Sequence, residues 1–209
     1  MGTKFFFRAL TIAASILVVG CSSGPEPAAK APTEAKKEPA KPAEAVAARS
    51  AYFEMYKPAR AWASDVLTLT LKSGEVPNIK NEEGKAGVWT AVFVSPSRKE
   101  ARTFSYAVAS NGADLSKGIN ISDKLVWGGA TPAAKAFVNS EFSIDSDVAY
   151  KAAAADAAGW LKTHPKATPT FLLGNSSRFP GPVWYIMWGT SKDGFAAYVN
   201  ATTGAVIHK

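Results

Sequence analysis

The sequence predicts an α+β protein made of two tandem helix-on-antiparallel-sheet repeats, placed after an export signal and a disordered tether. Three observations lead there. β-rich runs bounded by turn residues lie next to two helix-forming stretches across residues 46–209. The pattern recurs with a period near 95 residues: Trp89 is echoed by Trp184, and Tyr56-Lys57 by Tyr150-Lys151, 94 residues on. Six tryptophans and 11% aromatics supply a core that needs no disulfide. The expected division is 1–20 signal peptide, 21–45 tether, 46–130 first repeat and 131–209 second repeat.

Lys4 and Arg8 form a basic start, residues 9–20 an apolar run, and Gly20 precedes Cys21, the single cysteine. That is an export-signal layout, and the run is too short for a transmembrane helix. The stretch Leu17-Val18-Val19-Gly20-Cys21 resembles the bacterial lipobox. The resemblance implies lipidation of the Cys21 sulfur with a palmitate-type chain, removal of residues 1–20 and acylation of the new amino terminus. A buried or reactive thiol is the other reading of Cys21. One acyl chain anchors marginally, two or three stably. Ser22 after the cysteine is compatible with an outer membrane, the protein facing the periplasm.

Acylation of Cys21 would leave no thiol for a disulfide or a cysteine metal site. Loss of residues 1–20 removes Lys4 and Arg8 and no acid, so a net charge of +7 falls to +5. That mild basic bias favours anionic headgroups or acidic envelope polymers, or simply a solvated surface, and nucleic acid is not an expected partner. Residues 22–44 are mostly Ala, Pro, Lys and Glu, without aromatics or large aliphatics, and cannot bury a core.

In the first repeat a helix over 47–56 meets Pro58, which should kink it or start a second short helix. Leu67, Leu69 and Leu71 alternate with threonines as a half-buried strand. A Trp89-led strand, a polar turn, an aromatic strand and a glycine turn follow. In the second repeat Asp145 or Ser146 can cap a helix running to His164-Pro165. Strands are expected over 168–174 and 183–189, a hairpin turn at 191–194, and a turn at 202–204 before a short strand at 205–207.

The second repeat, with its helix, its Trp-bearing strand and the ending Tyr198-Val199-Asn200-Ala201-Thr202-Thr203-Gly204-Ala205-Val206, resembles a PepSY domain. The resemblance covers about 65 residues; the first repeat matches in outline only, since Ser110-Asn111-Gly112 departs from the pattern. It implies an extracytoplasmic binding or inhibitory module, and tandem helix-on-sheet repeats also occur in secreted inhibitors of β-lactamases.

For chemistry the sequence offers little. His164 and His208 lack partners at useful spacing, so neither a metal cluster nor a Ser-His-Asp arrangement is expected. Asp145 and Asp147 precede a helix, where acids cap and complement the dipole. Arg98, Lys99 and Arg102 fall in a loop that is either a carboxylate or phosphate grip or a solvated tip. Trp184-Tyr185-Ile186-Met187-Trp188 is bulky on both faces, although one helix covers only one face of a sheet. Tyr185, Met187 and Tyr198 therefore form a second apolar surface, either an interdomain core or an exposed groove for peptide, glycan or lipid. The expectation is a non-catalytic module with no cofactor and no metal, bound to the membrane through its lipid anchor and to an envelope protein or peptide. The alternatives are a cell-wall hydrolase or other envelope enzyme, and a structural or lipid-handling lipoprotein.

Overall fold

A two-residue strand, β1 (Val46–Ala47), leads into helix α1 (Ala48–Trp62) in the computed structural model, which describes residues 43–208 apart from 113 and 191. The signal peptide, the expected lipid site Cys21 and nearly all of the tether lie outside the described residues. α1 buries Ala48, Ala51, Tyr52, Met55 and Ala59, the three-and-four spacing of one helical face. Pro58 lies inside it and starts no second helix. The carbonyl that the proline ring leaves unbonded belongs to Glu54, on the exposed side of the helix, where solvent satisfies it.

The chain continues through β2 (Leu67–Gly74), β3 (Lys85–Ala86), β4 (Val88–Ser95), β5 (Glu100–Ala107) and β6 (Gly118–Val126). After a 3-10 turn at Asn139–Glu141 come α2 (Ser146–Asp156), α3 (Ala158–Thr163), β7 (Pro169–Gly174), β8 (Val183–Gly189) and β9 (Gly194–Asn200). The single helix expected before His164 is thus two, divided at Ala157. β6 has nine residues and forms one edge of the sheet.

β1 pairs with β3; the other seven strands form one antiparallel sheet in the order β6-β5-β4-β2-β7-β8-β9. Its two halves meet at β2 and β7, where Leu71 is opposite Leu173 and Lys72 opposite Leu172, and the Phe171 amide donates to Ser73 Oγ at 2.9 Å. The 46–130 and 131–209 stretches therefore share a sheet edge to edge and do not stack face to face. That removes the interdomain core as a cover for Tyr185 and Met187.

Between helices and sheet, Trp89 and Trp184 meet edge to face, 6.2 Å between centroids. Both are fully buried, and each indole N–H is satisfied by a backbone carbonyl: Trp89 Nε1 donates to Val46 O at 2.8 Å and Trp184 Nε1 to Ile144 O at 2.9 Å. Each acceptor lies two residues before the start of its helix. Counted from those starts, Ala48 and Ser146, Tyr150 corresponds to Tyr52 and not to Tyr56 as the sequence echo had it. Tyr52 and Tyr56 are one turn apart on the same face, which explains the slip.

The two helix starts are tied to each other. Ala47, at the N-cap of α1, provides no side-chain cap. Instead Asp145 Oδ1 accepts both the Ser146 amide at 2.7 Å and the Arg49 amide at 2.9 Å, so one carboxylate caps α2 and α1 together. The buried Ser146 hydroxyl accepts the Ala48 amide at 2.9 Å and donates to Gly84 O at 2.5 Å. Gly84 comes so close that a Cβ there would overlap the Asp147 backbone, and its φ is +83°.

Gly84→Ala is therefore expected to destabilise strongly, by about 3 kcal/mol or more, because overlap with backbone adds to left-handed strain. Gly112→Ala, with a φ of +62° and open space around it, carries only the strain, about 1–2 kcal/mol. Denaturant melts of the two variants measure the difference.

Tyr52 Oη pairs with Thr68 Oγ1 at 2.8 Å inside the core. Burial pushes its phenol above the ordinary 10.0, and the bond to Thr68 offsets this only in part. A raised folded value contributes stability below pH about 10 that is lost as pH climbs towards the folded value. The denaturation midpoint should fall above pH 10, and Tyr52→Phe should blunt that fall.

Candidate functional surface

α1 and α2 cover one face of the sheet. Trp184, Ile186 and Trp188 of β8 point into that layer and are buried, so Tyr185 and Met187 point the other way. Register then brings Tyr198 of β9 directly opposite Tyr185, their rings 5.2 Å apart and nearly perpendicular. The three residues expected to share a surface do share one.

The surface is covered in part by the chain's own β7–β8 connection, residues 175–182. Phe179 from that loop lies 6.0 Å from Tyr185 and 5.7 Å from Tyr198. The Arg178 guanidinium sits 5.2 Å from the Phe179 centroid and 5.3 Å from that of Tyr198. Tyr185 and Tyr198 are half-buried as a result, while Met187 is 40% exposed. Beside Tyr185 a shallow cavity of about 160 Å³ is lined by Leu69, Leu172, Ala133 and Ala134. Sequence reasoning missed Phe179 and Arg178. The available signal was an aromatic inside an otherwise polar, Pro-and-Gly loop, Arg178-Phe179-Pro180-Gly181.

The histidines have partners after all. His164 stacks flat on Trp160, 3.9 Å between centroids, and its Nε2 lies 3.3 Å from Asp193 Oδ2 in the β8–β9 turn. Its Nδ1 is 2.9 Å from Thr163 Oγ1 and 3.0 Å from Trp160 O. His208 Nδ1 lies 3.7 Å from Asp156. These carboxylates are 29 and 52 residues away in the chain, out of reach of any local spacing rule. The Thr163 hydroxyl also donates to Trp160 O at 2.8 Å, which commits its proton to the helix end. An open cleft of about 440 Å³ adjoins, with Trp160, Lys166 and Gly189 on its walls.

Asp145 caps as expected, and Asp147 accepts from the Val148 amide in the same first turn. Arg98 and Lys99 are exposed in the β4–β5 turn, but Arg102 lies in β5, where it donates to Ser122 O at 2.7 Å and sits 6.0 Å from the Phe104 ring. Asp65 accepts Ser95 Oγ at 2.6 Å and the Ser97 amide at 2.7 Å, which holds its carboxyl down at about 2. Among the described residues no three His, Cys, Asp or Glu side chains gather as metal ligands, and no helix is long and apolar enough to cross a membrane.

No protein-family model matches the chain, and no curated protein matches it. Among solved structures, a candidate lipoprotein from Clostridium difficile 630 aligns over 76% of this chain and 90% of its own, with 12% identity and a TM-score of 0.45.

Three substitutions on β8 should separate by face. Trp184→Ala removes a fully buried aromatic and is expected to cost about 3–5 kcal/mol. Tyr185→Ala loses two ring contacts on the open face, for about 1–2 kcal/mol. Met187→Ala should stay within about 0.5 kcal/mol. A reversed order in urea melts would mean the faces are assigned the wrong way round.

Proposed function

We propose that the chain is a lipid-anchored protein of the bacterial envelope, at an outer membrane facing the periplasm, and that it works as a non-catalytic binding or inhibitory module. The observation that carries the binding role is the helix-free surface of Tyr185, Tyr198, Phe179 and Arg178, with Met187 exposed beside it. Two strands present Tyr185 and Tyr198 there and the β7–β8 loop adds Phe179 and Arg178, residue types that dominate binding energy at protein interfaces. The occupant in this reading is an envelope protein or peptide. The lipid anchor rests on Cys21 and the apolar run before it.

The module is read as two PepSY-like repeats, α1 with β2, β4, β5 and β6, and α2 with β7, β8 and β9. Lys72 and Leu172, 100 residues apart, pair at the centre of the sheet, and an approximate twofold through that pair exchanges β2 with β7 and β4 with β8. The two tryptophan bonds to the carbonyls preceding each helix support the same exchange. An envelope hydrolase is the second reading, with His164, paired to Asp193 beside an open cleft, as its candidate base.

Two experiments test the proposal. Cys21→Ser should accumulate as an unprocessed precursor without fatty-acid label; equal labelling of wild type and variant sinks the anchor. The lipidated full chain should retain a partner from envelope extract that Met187→Arg with Arg178→Glu loses. Retention by both versions places binding elsewhere, and loss of a hydrolytic activity on His164→Ala would favour the enzyme.

A further inference from the structure

The most exposed large apolar side chain among the described residues is Val126, at 91%, with Leu125 beside it at 63%. Both end edge strand β6, and Ile121 of the same strand is also exposed. Adjacent strand residues point to opposite faces, so no flat partner laid on one face of the sheet covers both. Only something that receives the strand end as a wedge does so. Trp127 follows, and its amide donates to Lys99 O at 2.8 Å, which fastens the strand end to the β4–β5 turn. That turn carries Arg98 and Lys99, both exposed.

The surrounding charges lean basic by a small margin. Arg98, Lys99, Arg102 and Lys124 stand against Glu100, which Lys124 pairs at 3.5 Å, Asp123, and Asp65, which Ser95 and Ser97 keep ionised. Asp123 is the one acid of β6 and sits where the pairing with β5 is irregular, between Arg102/Lys124 and Phe104/Ile121. A bulge of Ser122 and Asp123 opposite Thr103 also interrupts the edge against an added strand, a usual protection against sheet extension. Aliphatic tip, flanking tryptophan and basic rim together are the composition of a membrane-interface contact.

We infer that the strand end Leu125-Val126-Trp127, with Arg98 and Lys99, docks this domain on the surface of an anionic lipid bilayer. The inference rests on the lipid-anchor reading, which brings the domain to a membrane in the first place. Reach permits it. The described chain starts at β1, at the amino end of α1, whereas the wedge belongs to the other end, where Asp65 past α1 holds the β4–β5 turn. The 15 residues of α1 span about 22 Å, and residues 22–42 reach at most about 65 Å when extended. Docking through the wedge turns the anchor from a leash into a second attachment, and basic side chains near anionic lipid add to the hold of the acyl chains.

The test uses the lipidated full chain, in which acylated Cys21 leaves a cysteine introduced at Val126 as the only free thiol. A polarity-sensitive nitrobenzoxadiazole label at 126, on vesicles containing phosphatidylglycerol, should shift to the blue. It should lose most of its emission to quenchers on the acyl chains. The same label at Val148, exposed on α2, should do neither, and Arg98→Glu with Lys99→Glu should return the 126 label to water. A label at 126 that stays in water while the chain stays vesicle-bound overturns the docking and leaves the anchor standing. A blue shift that needs protein concentration and no vesicles overturns it in favour of β6 pairing with a second copy. If mass analysis finds Cys21 bare, the anchor fails, and the same label on the Cys21→Ser chain with added vesicles still decides the docking.

Discussion

Everything in this fold turns on the contact between the two helix starts at Asp145 and Ser146. A helix leaves its first amides without partners, and α1 has an alanine where a capping side chain belongs. Its amides are satisfied by residues nearly 100 positions later in the chain, through one carboxylate and one buried hydroxyl. The same hydroxyl holds Gly84 O, so the loop between β2 and β3 is fixed by the same few atoms. Removing the hydroxyl strands a buried amide and a buried carbonyl together, which is far more costly than the loss of one exposed bond.

The sheet follows the same logic. β2 and β7 are the first strands after their helices, and they pair with each other at the centre, placing later strands progressively outward. Helices then fall on one side only. The other side is left to whatever the loops bring, which is Phe179 and Arg178 over Tyr185 and Tyr198. A surface of this kind is half prepared: its aromatics are ordered by their neighbours, and Met187 remains open at the rim.

Much of this was legible in the sequence. Alternation marked β2, the bulky run marked β8, and the Trp89 and Trp184 echo located the centre of the core, because burial and period leave a local trace. The shared face of Tyr185, Met187 and Tyr198 followed from strand alternation and one hairpin turn. What escaped depended on distance along the chain. The partners of His164 and His208, the capping of α1 by Asp145, and the edge-to-edge join all link residues whose spacing obeys no local rule. The second helix that Pro58 could have started is missing for a different reason: Glu54, whose carbonyl the proline orphans, is on the exposed side, so the helix continues through it. Phe179 sat in a loop, where apolar periodicity has nothing to report.

Synthesis runs from the amino end, and Thr70 to Lys72 of β2, the inner strand of the first half, must wait for residues 172–174 before their free side is closed. Until then the nascent chain shows unpaired amides and carbonyls on β2, and before Asp145 and Ser146 are made α1 lacks its cap as well. Such a gap invites mispairing with any neighbouring strand. The protein thus has a vulnerable adolescence set by topology alone, which lasts until β7 has been made.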